Sequence, residues 1–421
     1  MRTLIRFTSY LLLMTLVLVA PYQATYAQVD LCPSYTSRVV SDVASHCASM
    51  GPDEVCNGNS NVQTLVDGNS DPLDDSTELG TTSWLAGTLI VDTSPLDLNE
   101  QIYGVAPMRV RANLPVGHPG RDLVLMPIGG VEIGNGVPFD EALLLPTEEE
   151  SLSVVTATTA TLYAEASASS PVVGTVPAGT SLIADGTTPD QDWLRVYFEY
   201  PGDYGTVATA WINQSVLRNV NTDLLPFVAA DSLTPMQKFY FNNTFESPLC
   251  PGAPSGSILV QAPKDVETDL VVNDADVLIT SSVSFNIREP NTMELRVLDG
   301  MAVLCRNTPN EIIVPEGFAI DLPLNLPKDV EIADRLFSSS DFCAWQNLRL
   351  MTIAELGNLT LLEQLRTNVL NQSVTLPNII CPSAVGPSAC VVTIDDQVTR
   401  DSIRELCDNG SISEQVCELV R

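Results

Sequence analysis

The groups in this chain that could carry acid–base, nucleophilic or metal chemistry are two histidines, ten cysteines and 52 carboxylates. His46 and His118 lie on distant segments, and a lone imidazole more often packs or caps than binds metal or moves protons. His46 ends an apolar stretch of helical period, where a cation meets the helix dipole. His118 sits in the turn Gly117-His118-Pro119-Gly120. No Gly-x-Ser-x-Gly elbow, His-Glu-x-x-His zinc helix or phosphate loop occurs. No Cys-x-x-Cys pair occurs either, which argues against a zinc ribbon or a thioredoxin-type centre. The even cysteine count reads as a disulfide set in an exported chain. Spacing suggests Cys47 with Cys56, Cys381 with Cys390 and Cys407 with Cys417. Of the remaining four, Cys250 with Cys305 is the preferred pair, and connectivity stays open. Carboxylate catalysis needs two acids about 5–10 Å apart. Nothing marks one pair of the many acids above the others.

One acidic stretch has ligand-like spacing. Asp67, Asn69, Asp71, Asp75 and Glu78 fall at positions 1, 3, 5, 9 and 12 of a loop. This resembles an EF-hand calcium loop, in which alternating oxygens wrap a hard cation. Pro72 stands where that loop needs glycine, and the flanks lack helical period, so a solvated polar loop is the competing reading. No cofactor is otherwise expected. The formal net charge is −32, with only three lysines: Lys238, Lys264 and Lys328. Nucleic acid and anionic membranes need clustered Lys and Arg, so neither is an expected partner. Like charge at this level first serves solubility.

The N-terminus supplies a location. Arg2 and Arg6 precede an apolar run from Leu11 to Ala20, and Thr25-Tyr26-Ala27 has small residues where a signal peptidase reads. Residues 1–27 are therefore expected to be a secretory leader. The run is shorter than the roughly 20 apolar residues of a membrane span, and no later run is longer. The expectation is an extracytoplasmic protein, secreted, periplasmic or on the cell surface, with no transmembrane anchor.

The elements that would position a binding site are mostly short strands. Val172-Val173-Gly174-Thr175-Val176 leads into Pro177-Ala178-Gly179, a turn. Trp193-Leu194-Arg195-Val196 alternates as a half-buried strand does, and Ala210-Trp211-Ile212 follows. This arrangement over 151–219 resembles the bacterial Src-homology-3-like domain, a small β-barrel of cell-envelope proteins. The resemblance implies binding, not catalysis. Trp193 and Trp211, with Tyr163, Tyr197 and Tyr204, are the candidate contact residues, although aromatics on strands are more often core. The family's opening Asn-Val-Arg segment is replaced by Leu162-Tyr163-Ala164-Glu165. Cysteine peptidases that accompany such barrels place a histidine after the nucleophile, and no histidine follows His118.

Further along, Val283, Phe285 and Ile287 alternate with Ser284, Asn286 and Arg288, and Asp299-Gly300 is a hairpin signal. With Gln261-Ala262-Pro263 and the turn Val271-Val272-Asn273-Asp274, this region resembles the FecR-like β domain of bacterial envelope regulators. Cys32, Cys47, Cys56-Asn57-Gly58-Asn59, Ile102-Tyr103-Gly104 and Arg111-Ala112-Asn113 are similar to the N-terminal part of bacterial exported proteins that often carry the same barrel. Val39, Val40, Val43, Ala44 and Cys47 predict a helix within 32–50. Leu348, Leu350, Met351, Leu356, Leu359, Leu362 and Leu365 predict a helical C-terminal region.

The expected organisation is a mainly β multidomain protein, a small β-barrel plus β-sandwich-like modules, with a helical C-terminal region. Its segments are the leader 1–27, a helix plus β domain 28–150, the barrel 151–219, a linker 220–250, a FecR-like β domain 251–330 and a helical region 331–421. The expected function is non-catalytic binding or scaffolding at the cell envelope, through a cell-wall polymer, a peptide or an envelope protein. A carboxylate-dependent carbohydrate-active enzyme and a calcium-dependent adhesion protein are the alternatives.

Overall fold

The structure is a computed structural model that describes residues 32–420 except 60–61, 67–77, 115–121, 147–150, 200–206, 219, 230, 244–249, 265, 289–291, 325–342, 344–347, 381–389, 395–396, 411 and 413–416. The expected leader, His118, Tyr204, Cys381, and Asp67, Asn69, Asp71 and Asp75 of the acidic loop lie outside the described residues.

Two large sheets face each other. The first runs, edge to edge, through strands Leu348–Leu350, Phe318–Pro323, Thr292–Asp299, Ser282–Arg288, Gly256–Gln261, Asp122–Gly129, Met108–Arg111, Glu54–Cys56 and Thr82–Trp84. The second runs through Val62–Val66, Thr88–Thr93, Val131–Asn135, Lys238–Asn243, Thr268–Val272, Ala275–Ile279, Met301–Leu304 and Ile312–Pro315. Their inner faces meet around Phe239 and Phe241 of the second sheet and Phe285 of the first, with ring centroids 6.3–6.5 Å apart. All three rings are essentially buried. Aromatic burial of this size dominates core energetics.

The fold is mainly β, as the alternation implied, but the sheets cross the expected boundaries. Strand Gly256–Gln261 lies between Asp122–Gly129 and Ser282–Arg288, so segments 28–150 and 251–330 build the same sheet. Segment 220–250, read as a linker, contributes Lys238–Asn243, an inner strand paired to Val131–Asn135 along five residues. Its Phe239-Tyr240-Phe241 alternation was visible, but a strand's period does not reveal its partner.

Asp299-Gly300 also does something other than close a hairpin. Strand Thr292–Asp299 pairs with Ser282–Arg288 and Phe318–Pro323, whereas Met301–Leu304 pairs with Ala275–Ile279 and Ile312–Pro315. The turn is a corner that carries the chain from one sheet to the other, and Gly300 takes φ 76° there. Gly129, φ 80°, makes the equivalent corner into Val131–Asn135; a Cβ on it would lie 2.5 Å from the Ser255 carbonyl oxygen. Only glycine combines a positive φ with that approach. The Asn273-Asp274 turn is a true two-residue hairpin, with φ 48° and 63° at its centre and Val272 opposite Ala275.

The N-terminal helix covers 32–46, and Val39, Val40, Val43 and Ala44 are its buried face. His46 lies at its exposed end, with Nδ1 2.8 Å from the Asp42 carbonyl oxygen. Cys47–Cys56 and Cys407–Cys417 are bonded as spacing suggested. The preferred Cys250–Cys305 pair is replaced by Cys32–Cys250 and Cys305–Cys343. Cys32 sits on the helix, and only the tertiary fold brings it beside Cys250. Cys390 is disulfide-bonded as well, and no described cysteine is free.

The C-terminal region is less helical than its leucines implied. Leu348 and Leu350 belong to an edge strand of the first sheet. Ile353–Gly357 is a single helical turn, closed by a capping box between Thr352 and Glu355. A two-stranded ribbon, Asn378–Ile380 with Val391–Thr393, and the helix Gln397–Asp408 complete it. No described helix is long and apolar enough to cross a membrane.

Candidate binding site

Residues 152–213 form a six-stranded sheet in the order Val172–Val176, Ala160–Tyr163, Val207–Asn213, Trp193–Glu199, Ser181–Thr187, Leu152–Val155. It bends around its own core of Leu162, Ala184, Leu194, Val196, Ala210 and Ile212. The two edge strands do not pair with each other, so the expected closed barrel is an open, curled sheet. The Pro177-Ala178-Gly179 turn joins the edge strand Val172–Val176 to Ser181–Thr187, the strand next to the opposite edge. Thr156 secures that turn: its Oγ1 donates to the Pro177 carbonyl (2.7 Å) and accepts from the Thr180 N–H (3.0 Å).

Period-two alternation sorts the predicted contact residues. Leu194, Val196 and Phe198 face the core, so Trp193, Arg195 and Tyr197 face the other side. Arg195 is opposite Trp211, and Trp211 is opposite Tyr163. The structure thus brings Tyr163, Trp193, Tyr197 and Trp211 onto one face. Tyr163 and Trp193 meet edge to face with centroids 5.5 Å apart. Both are half-buried, which leaves part of each ring open.

Trp211 has a different fate. It is 8% exposed and packs in a small cluster with Leu143, Leu145 and Val228. Trp193 and Ala166 touch the edge of that cluster. The chain's own flanking segments therefore cover half of the aromatic face. Trp211 is an anchor between the module and the sandwich, and the open part of the face lies at Trp193 and Tyr163.

Two further residues of this face were not singled out from the sequence. Asp185 falls at a register shift between Ala184 and Gly186. Such a bulge re-aims a side chain, and here it turns the carboxylate toward Arg195. Arg195 donates to Asp185 through Nε (2.9 Å) and Nη2 (3.2 Å), and the Tyr197 hydroxyl donates to the same carboxylate (2.6 Å). The ion pair is buried on both sides. Arg195 Nη1 then donates to Asn113 Oδ1 (2.7 Å), and Asn113 Nδ2 donates to the carbonyls of Ala229 and Ser232. Tyr197, expected as a contact residue, is thus tied into a module-to-sandwich network. Arg195 could have been flagged by its register with Trp193; a one-residue bulge leaves no such signal.

Glu78 is the described end of the acidic loop. It is exposed, and its carbonyl oxygen accepts from Asn57 and Thr81. Among the described residues, no three His, Cys, Asp or Glu side chains cluster to hold a metal ion.

A second charged cluster lies on the outer face of the first sheet. Glu294, fully buried, accepts from Arg288 Nη1 (2.9 Å), from Arg296 and from Arg349. Arg349 also donates to Glu355 at 2.7 and 3.0 Å. Burial pushes the Glu355 pKa up, but the hydrogen bonds from Arg349 and from the Thr352 N–H and hydroxyl outweigh it and hold the pKa at about 2, against an ordinary 4.5. A depressed carboxylate stabilises the fold above its unfolded pKa and loses that contribution as pH falls through the folded one. Glu355 should therefore contribute about 2 kcal/mol at neutral pH, once its partial exposure is discounted, and that should vanish between about pH 4.5 and 2. Urea titrations of the native protein and Glu355→Gln at pH 6 and pH 3 will show their stabilities converging at the lower pH. A gap that does not change with pH would place the stabilisation elsewhere.

Residues 158–218 match the Bacterial SH3 domain family. No curated protein and no solved structure was found to match the chain.

Proposed function

We propose that this is an exported, non-catalytic protein that binds a bacterial cell-wall polymer through its SH3 module. The observation that carries the reading is the Bacterial SH3 match over 158–218, since such modules typically bind cell-wall polymers. Disulfides agree with an oxidising, extracytoplasmic compartment. The partly open Tyr163–Trp193 pair offers an aromatic platform on the module's outer face. A chain at −32 is repelled by polyanionic wall polymers, so the glycan and peptide parts of peptidoglycan are the favoured targets. The FecR-like resemblance of 251–330 adds an envelope setting to this reading.

Co-sedimentation with insoluble peptidoglycan tests it. The native protein should pellet with the polymer. Trp193→Ala should weaken binding about five- to tenfold, the worth of one aromatic contact, while retaining the native far-ultraviolet circular dichroism. Absence of co-sedimentation would sink the proposal. Release of soluble fragments, abolished by changing one carboxylate, would replace it with the enzymatic alternative.

A further inference from the structure

The outer face of the second sheet carries two rows of side chains. Phe239 and Phe241 are buried in the core, so Lys238, Tyr240 and Asn242 point outward. Register extends that face across four strands. Leu65 stands opposite Ile90, Ile90 opposite Gly134, and Gly134 opposite Tyr240. Two residues along, Gln63 stands opposite Asp92, Asp92 opposite Glu132, and Glu132 opposite Asn242. The first row is apolar. The second holds two carboxylates on adjacent strands.

The apolar row is open to solvent. Leu65 is 45% exposed, and a cleft of about 240 Å³ beside Tyr240 is walled by Leu89, 40% exposed, and Phe139, 57% exposed. Gly134 has no side chain, so the row dips between Ile90 and Tyr240. The Tyr240 ring is fixed there: its hydroxyl donates to Asp274 Oδ1 (2.6 Å), and a Cβ on Gly136 would lie only 3.0 Å from its Cε2. Exposed apolar residues gathered in one patch mark an interaction surface, whereas scattered ones do not.

The acidic row is unbalanced. Like charges directly opposite on neighbouring strands repel. Partial burial, and Glu132 beside it, push the Asp92 carboxyl above the ordinary carboxylate range. Among the described residues neither acid has an ion-pair partner. Lys238, farther along the face, is already paired with Asp274 at 3.1 Å. An occupant that suits both rows brings positive charge and apolar side chains together. A second copy of the chain would set acid against acid, and polyanions and anionic membranes are repelled by a charge of −32. A bare metal ion would leave the apolar row uncovered.

We infer that this face docks a basic polypeptide segment, whose lysine or arginine side chains sit over Asp92 and Glu132 while its aliphatic side chains cover Leu65, Ile90 and the dip before Tyr240. The inference goes beyond the wall-binding reading and does not depend on it: it gives the chain a second surface, for a protein partner.

The test uses the full mature chain and fluorescein-labelled, capped six-residue peptides, read by fluorescence anisotropy at about 0.15 M salt, where long-range attraction is screened. A peptide alternating lysine with leucine should bind about fivefold more tightly than one alternating lysine with serine, and one alternating glutamate with leucine should not bind. Asp92→Asn with Glu132→Gln should weaken binding about tenfold, and Leu65→Ser about threefold. Glu405→Gln with Asp408→Asn makes the same charge change on the exposed side of the helix Gln397–Asp408 and should leave binding unchanged. All of these positions are exposed, so thermal unfolding should stay native-like, and removing the opposed acids should if anything raise the midpoint. Equal binding of the lysine–leucine and lysine–serine peptides, or equal weakening by the two charge pairs, would reduce the effect to net charge and overturn the inference. So would native-like binding by the Asp92–Glu132 and Leu65 variants, or no binding by the native protein. A concentration-dependent dimer in sedimentation velocity, lost in Leu65→Ser, would give the face to a second copy instead. Peptidoglycan co-sedimentation should be the same for native protein and the Asp92–Glu132 variant; a loss would make this face part of the wall site and overturn its assignment to a protein partner.

Discussion

Replacing Glu294 by alanine will destabilise the protein by about 3–5 kcal/mol, the cost of stranding buried charge. Glu294 is fully buried and is the common acceptor for Arg288, Arg296 and Arg349. Without it, Arg296 has no carboxylate within reach among the described residues, and its side chain is only 8% exposed. Arg288 and Arg349 retain Asp321 and Glu355, so the loss concentrates on Arg296. Equilibrium urea unfolding of the two proteins measures the difference. Natural domains are stable by only about 5–15 kcal/mol, so the variant will sit near the edge of folding. A loss below about 1 kcal/mol would mean that Arg296 reaches water on its own.

Trp211→Ala will cost about 3–5 kcal/mol, the usual range for deleting a buried large aromatic. The cavity opens between Leu143, Leu145 and Val228, at the junction rather than inside either core. The native protein should therefore unfold in one transition and Trp211→Ala in two, with the module melting first. Differential scanning calorimetry separates these outcomes. A single transition lowered as a whole would show that the Arg195–Asn113 bond and its neighbours hold the junction without the indole. Trp193→Ala, at a half-buried position, should leave one transition.

What was legible followed from local pattern. The N-terminal helix could be read because its valines repeat at helical spacing, and the SH3 module because Trp193-Leu194-Arg195-Val196 alternates beside a Pro-Ala-Gly turn. Cys47–Cys56 and Cys407–Cys417 could be read because their loops are short. Cys32–Cys250 could not, because it depends on a strand order that no local window contains. The same limit hid the shared sheets: alternation in 282–288 tells which residues share a face, not that Gly256–Gln261 stands between them and Asp122–Gly129. It also hid the burial of Ser284, Glu294 and Arg296, since a polar alternate residue reads as solvent-facing until another segment covers it. On the module, the aromatic set was legible, but the covering of Trp211 was not. Leu143, Leu145 and Val228 flank the module in the chain, and nothing in their types marks them as its lid.

The pairing of Val131–Asn135 with Lys238–Asn243 sets an order of events during folding. Those adjacent strands are separated in the chain by about a hundred residues, among them the whole SH3 module. Closing a flexible loop of that length costs entropy before any contact repays it, and such non-local pairing slows folding. A module already collapsed on its own core of Leu162, Leu194 and Val196 brings its entry and exit close together and shortens the effective loop. The sandwich would then assemble around a preformed insert. Damage to the module's core would consequently slow the acquisition of the sheet that carries Phe239 and Phe241, far from the altered residue.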